Sequence, residues 1–307
     1  MKKILMIAAF AIALASCSKK ETENFDLPKG IRFSNLNDKV TRAANDANAN
    51  YQVYANWSSG TVWYINDVVN GTTNLAQTGP HYWPTTGTVD FYAWAPASSS
   101  SIVATTTYPS LSIAYTVPTD ADEDFTIAAP VTGLSSGTVA FQFAHMLSKI
   151  TVSADLTQEL KDAGYSLTFT GGAATLSVNS TGGTIDPTAA TPAWTSPNST
   201  TMAYSGALSY MVLPQTSTGC KVKITGGITI TKGGNTVFTG GLSEYTIASN
   251  DITGNTFEKG KQYQLILVIS DASTGGEGGN IFGDAITFTA TTTPWETVTP
   301  DPTLPQP

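Results

Sequence analysis

A chain of 307 residues with 41% apolar side chains can bury sizeable cores, although only 12% of it is charged, about half the usual share. That apolar content excludes an intrinsically disordered chain. After Arg42 it carries 7 Lys and no Arg against 19 Asp and Glu, a net charge of 7 − 19 = −12. Phosphate backbones and anionic membranes repel such a polyanion, so nucleic acid is excluded as a partner.

The first elements are processing signals. A basic start (Lys2, Lys3) leads into an apolar run, Ile4 to Ala13, and then Leu14-Ala15-Ser16-Cys17. This order predicts a lipoprotein signal peptide over residues 1–16, with Cys17 as lipid acceptor and new N-terminus. Cleavage there leaves 307 − 16 = 291 residues. The apolar run is too short to span a bilayer, and no longer one follows, so the lipid on Cys17 is the expected membrane anchor. The chain's only arginines, Arg32 and Arg42, both lie near the front. An arginine-specific protease could therefore cut between Arg42 and Ala43, remove residues 17–42 as a propeptide, and find no arginine in the body. A chain so poor in charge could also show this asymmetry without meaning. Within the propeptide, Ile31-Arg-Phe33 after Pro28 and Gly30 reads as a short strand.

From Tyr51 onward the composition is β throughout, with short alternating runs between Gly, Pro, Asn and Ser clusters. Strands are predicted over 51–57, 89–95, 139–145, 149–153, 165–169, 210–213, 222–225 and 262–269. One helix is predicted over Leu156 to Ala163, ended by Gly164. More than a dozen strands with one helix predict an all-β fold of sandwiches or barrels, and the length suggests two. The turn-rich Gly133-Leu-Ser-Ser-Gly137 marks a boundary between an N-terminal β-sandwich over 28–137 and a C-terminal one over 138–299. A Pro-rich tail, 300–307, closes the chain. The acidic Asp120-Ala-Asp-Glu-Asp124 starts like a calcium loop, but Phe125 and Val131 stand where glycine and glutamate are needed, which favours a solvated loop. The glycine-rich 274–279 lacks the spacing and lysine of a phosphate loop. With Cys17 lipidated, Cys220 has no disulfide partner.

Few residues suggest chemistry. The two histidines, His81 and His145, belong to no metal motif, and no serine sits in a nucleophile elbow. No catalytic residue, metal or cofactor is expected, although two acids of a glycosidase could lie anywhere. His145, within an alternating strand, reads as a packed or hydrogen-bonded residue. The dense aromatics Trp57, Trp63, Tyr64, Tyr82, Trp83, Phe91, Tyr92 and Trp94 could form a sugar-stacking platform, but a core is favoured.

Several segments together resemble the fimbrillin-like proteins of Bacteroidales. They are Tyr51-Gln-Val-Tyr-Ala, Val89-Asp-Phe-Tyr-Ala-Trp-Ala-Pro96, Phe141-Gln-Phe-Ala-His-Met-Leu-Ser-Lys-Ile150, Tyr210-Met-Val-Leu-Pro-Gln-Thr216 and Phe257-Glu-Lys-Gly-Lys-Gln-Tyr-Gln-Leu265. The closing Trp295, the lipobox before Cys17 and Val40-Thr-Arg-Ala43 fit the same pattern. The resemblance implies two transthyretin-like (Greek-key) β-sandwich domains in tandem and a pilus subunit displayed on the outer membrane for adhesion. It implies an arginine-specific protease cutting at Arg42, removal of the strand carrying Ile31 and Phe33, and donor-strand exchange with other pilus subunits. The donor candidate is Ala285-Ile-Thr-Phe-Thr-Ala290 through Val298, although the Pro-rich end departs from a good strand. A host protein or glycan is the implied adhesion partner. The alternative is a surface lipoprotein that binds glycans and never polymerises.

Overall fold

The computed structural model describes residues 30–35, 49–118, 123–170, 174–195, 197–198, 202–207, 209–242, 244–270 and 286–294. The chain begins with β1 (Arg32–Asn35), β2 (Tyr51–Trp57), β3 (Ile65–Val69) and β4 (Val89–Ala95). β5 (Ile102–Thr105), β6 (Ser112–Thr116), β7 (Thr126–Ala128) and β8 (Val131–Leu134) follow. Next come β9 (Thr138–Phe141), β10 (Phe143–His145), β11 (Ser148–Leu156) and the short helix α1 (Gln158–Asp162). Beyond it lie β12 (Tyr165–Phe169), β13 (Ala174–Val178), β14 (Gly182–Ile185), β15 (Trp194–Thr195), β16 (Met202–Ala207) and β17 (Ser209–Val212). The last are β18 (Gln215–Thr216), β19 (Lys221–Ile224), β20 (Ile228–Lys232), β21 (Asn235–Gly240), β22 (Tyr245–Thr246), β23 (Thr256–Phe257), β24 (Lys261–Ile269) and β25 (Ile286–Pro294). The protein is all-β.

A six-stranded sheet runs β10-β7-β4-β2-β3, with β8 also on β4. Both faces of its centre are covered. Tyr51, Val53, Ala55, Phe91 and Ala93 enter one core with Phe33 and Phe141. Tyr54, Tyr92 and Trp94 point the other way, into a larger core shared with Leu176, Val222 and Leu265. Two covered faces explain why Val89-Asp-Phe-Tyr-Ala-Trp-Ala95 is apolar almost without interruption. The aromatic cluster is mostly this packing: Trp83, Phe91, Tyr92 and Trp94 are buried, while Tyr82 is 44% exposed.

A four-stranded sheet, β15-β14-β6-β5, takes two strands from each side of residue 137. Later in the chain, β11 pairs antiparallel with β17 and parallel with β24, and β25 closes that sheet as an edge strand.

Two elements depart from the sequence expectation. The run 139–145 alternates without a break, yet it forms two strands separated by Gln142, because β9 pairs with β1 and β10 with β7. The helix is shorter than 156–163, because Leu156 still belongs to the ladder between β11 and β24. Its C-terminal end matches: Gly164 has φ +81°, and its amide donates to the Lys161 carbonyl at 3.0 Å.

Candidate functional site

The first strand sits between two edges. On one side β1 runs parallel to β9, in register from Arg32↔Thr138 to Asn35↔Phe141. Among the described residues β1 is the sole ladder partner of β9. Alternation along the strand sends Ile31 and Phe33 inward, 9% and 6% exposed, while Arg32 faces solvent. The Phe33 ring stacks on Phe141 and makes a T-shaped contact with Phe91 at a centroid distance of 6.3 Å. Filling this core is what holds the strand, since so short a ladder supplies few hydrogen bonds.

On the other side the partner is irregular chain. The Ile31 amide donates to the His81 carbonyl at 2.7 Å, and Gly30 bridges to Tyr82 in antiparallel sense. Residues 81–83 thus form a second edge, and each is pinned. His81 Nε2 lies 2.8 Å from Asp67 Oδ2. The Tyr82 carbonyl accepts from the Tyr64 hydroxyl at 2.5 Å. Trp83 is buried edge-on against Phe91, with centroids 5.7 Å apart.

Asp67 anchors this second edge. It is buried on β3, where Oδ2 accepts from the Thr78 hydroxyl at 2.7 Å and the Thr78 amide at 3.0 Å. Oδ1 accepts from the Val68 amide at 2.7 Å. Burial pushes the carboxyl up, but the hydrogen bonds from Thr78, His81 and Val68 outweigh it and hold the group below its ordinary range. The sequence reading singled out neither Asp67 nor Thr78. A signal existed: in Ile65-Asn-Asp-Val-Val69 the inward positions are 65, 67 and 69, and a carboxylate on the buried phase requires partners.

The remaining candidates lie elsewhere. His145 donates to or accepts from Asp124 at 2.6 Å, both being largely buried, as expected of a hydrogen-bonded strand residue. Cys220 is buried and its thiol is pushed up to about 11 by burial. No group of three or more His, Cys, Asp or Glu suited to a metal occurs among the described residues. β25, within the candidate donor segment, pairs only with β24 among the described residues, and Thr289 and Thr291 to Thr293 are exposed. Cys17, Arg42, Ala43, Trp295, residues 1–16, 274–279 and 300–307, and Asp120 to Ala121 with Asp122 lie outside the described residues.

Comparisons with known proteins agree with one another. A fimbrillin-like family model matches residues 39–295. A fimbrial protein from Bacteroides vulgatus has a similar structure over 88% of this chain and 99% of its own, at 17% identity and a TM-score of 0.58. A candidate cell adhesion protein from Bacteroides uniformis is similar over 89% of this chain and 99% of its own, at 18% identity and a TM-score of 0.56. Another, from Bacteroides ovatus, covers the same shares at 15% identity and a TM-score of 0.50. Identities this low show a shared fold. No curated protein sequence matches.

Proposed function

Because this chain belongs to the fimbrillin-like family, we propose that it is a structural subunit of a cell-surface pilus or adhesin, assembled by exchange of its first strand. The precursor is exported as a lipoprotein on Cys17. An arginine-specific protease then cuts after Arg42, which severs β1 and the lipid anchor from the body. A strand from another subunit takes the vacated place by β-augmentation. Such head-to-tail contacts do not close on themselves, so they propagate as a fibre. The donor is the segment from Ala285 through Val298, which includes the edge strand β25.

The observation that carries this reading is the isolation of β1. Among the described residues it pairs with β9 alone in the ladder, yet it fills the core with Ile31 and Phe33. Its loss would open a slot with unpaired backbone and an uncovered aromatic floor without tearing any larger sheet. Digestion of the purified precursor with an arginine-specific protease tests the reading. The expected products are a body fragment starting at Ala43 and, with time, SDS-resistant oligomers. Protein cut at Arg42 that stays monomeric under every condition overturns strand exchange.

A further inference from the structure

The slot has two edges of different construction. β9 is a strand that continues, after Gln142 alone, into β10 and its pairing with β7. Residues 81–82 belong to no strand ladder, and the hydrogen bond of His81 with Ile31 and the bridge of Tyr82 to Gly30 are the only regular pairing described for them. A loop edge of this kind keeps its shape only if side chains hold it.

We infer that Asp67 is the positioning residue that holds this second edge open for a strand, acting through His81 and Thr78. Its carboxylate gathers both ends of the loop: Thr78 through main-chain and hydroxyl hydrogen bonds, and His81 through Nε2. The two bonded groups of His81 point to opposite partners. Its ring is fixed to Asp67, and its carbonyl faces the incoming strand, accepting the Ile31 amide at 2.7 Å. Tyr64 restrains the neighbouring carbonyl of Tyr82 in the same way. Asp67 is itself fixed by the Val68 amide and by its burial within β3, between Ile65 and Val69. The acceptor edge is therefore built from the inside of the domain and does not depend on β1 to form it. The slot admits an extended segment that presents an amide to His81, with large apolar side chains at that residue and two positions later.

The second half of this inference rests on the strand-exchange reading, and the first half does not. The first test uses the intact chain. Asp67→Asn replaces one acceptor oxygen by an amino group that faces the Thr78 and His81 donors. Hydrogen exchange at the Ile31 amide is expected to accelerate at least tenfold, while amides of β11 and β24 keep their protection. Asp124→Asn, which disturbs the other buried Asp–His pair without touching residues 78–82, is expected to leave Ile31 unchanged. If Asp67→Asn does not fold, Thr78→Val removes one donor and retains the carboxylate, with a smaller acceleration confined to the same amide. An Ile31 rate within twofold of wild type in both the Asp67 and Thr78 variants overturns the inference, as does an equal rise with Asp124→Asn.

The second test uses protein cut after Arg42. Release of the severed segment is expected to be faster in Asp67→Asn than in wild type, and a labelled peptide spanning residues 28–35 to be retained less tightly. Faster Ile31 exchange in the intact chain, combined with no peptide uptake by any cut protein, keeps the role of Asp67 and removes strand exchange.

Discussion

Phe33 lies against Phe141 with ring centroids 6.2 Å apart and ring planes inclined by 9°, so the first strand is joined to its ladder partner by side chains as well as backbone. Phe91 makes a T-shaped contact with the same Phe33 ring and another with Trp83. Phe33 thus joins Phe141 on β9 to Phe91, the floor residue that also carries Trp83 of the second edge.

Truncating it is expected to be costly. Phe33→Ala removes a ring that is 6% exposed, which typically destabilises by about 3–5 kcal/mol when the surroundings cannot collapse. Chemical denaturation should show a lowered midpoint, and the variant cut at Arg42 should lose its first strand faster than wild type. A change below about 1 kcal/mol would mean that the slot closes over the missing ring.

Lipidation should depend on one sulfur. Cys17→Ala is expected to abolish incorporation of a labelled fatty acid, because Cys17 is the cysteine that follows the apolar run. Undiminished label in the variant would disprove the assignment.

Processing should depend on one guanidinium. Arg42→Ala treated with an arginine-specific protease is expected to remain uncut at 42 and monomeric. Arg32, exposed on β1, is the remaining arginine at which a slower cut is expected. N-terminal sequencing distinguishes the two sites, and polymerisation of an uncut Arg42→Ala chain would contradict the assembly order.

Stability should fall in acid through Asp67. Its carboxyl is held below the ordinary range in the folded protein, so the unfolded chain binds that proton first as pH drops. The stabilisation is complete above the ordinary carboxylate value of about 4 and is lost as pH falls through the lowered one. His81 is the titratable group hydrogen-bonded to it. Denaturation measured between about pH 5 and 2 should show a shallower decline for Asp67→Asn than for wild type.

Much of this fold is legible in the sequence because alternation reports which faces are covered. The segments 51–57, 89–95 and 165–169 coincide with β2, β4 and β12, and Gly164 ends the helix at the expected place. What escapes is pairing. Val139 to His145 alternates smoothly, and nothing local reveals that its two halves turn to different neighbours at Gln142. The pairing of β14 with β6 is equally silent, since it joins segments far apart in the chain. At the slot, Ile31 and Phe33 announce themselves as a strand, whereas the His81 edge has no periodicity. Its importance comes from Asp67 and Thr78, which loop closure brings together.

Cys220 should be chemically silent while the protein is folded. It is fully buried, and its thiol is pushed up to about 11, so little thiolate exists at neutral pH. Labelling with a thiol reagent, in a Cys17→Ala background, should proceed at the rate of unfolding. Rapid stoichiometric labelling of the native protein would show that the site opens locally.

The parallel pairing of β11 with β24 sets a clock on maturation. β11 begins at Ser148 and its partner at Lys261, with eight residue pairs of the ladder, Lys149↔Gln262 to Leu156↔Ile269, waiting on residues made much later. The β2–β3–β4 meander can close from neighbouring segments, whereas this sheet cannot be completed until nearly the whole chain is available. Pairings of such long range are slow, on the order of milliseconds to seconds, and leave β11 without this partner meanwhile. Until that sheet closes, the face of the early sheet that carries Tyr54, Tyr92 and Trp94 also lacks its cover from Leu265, which leaves apolar surface open to the wrong neighbour.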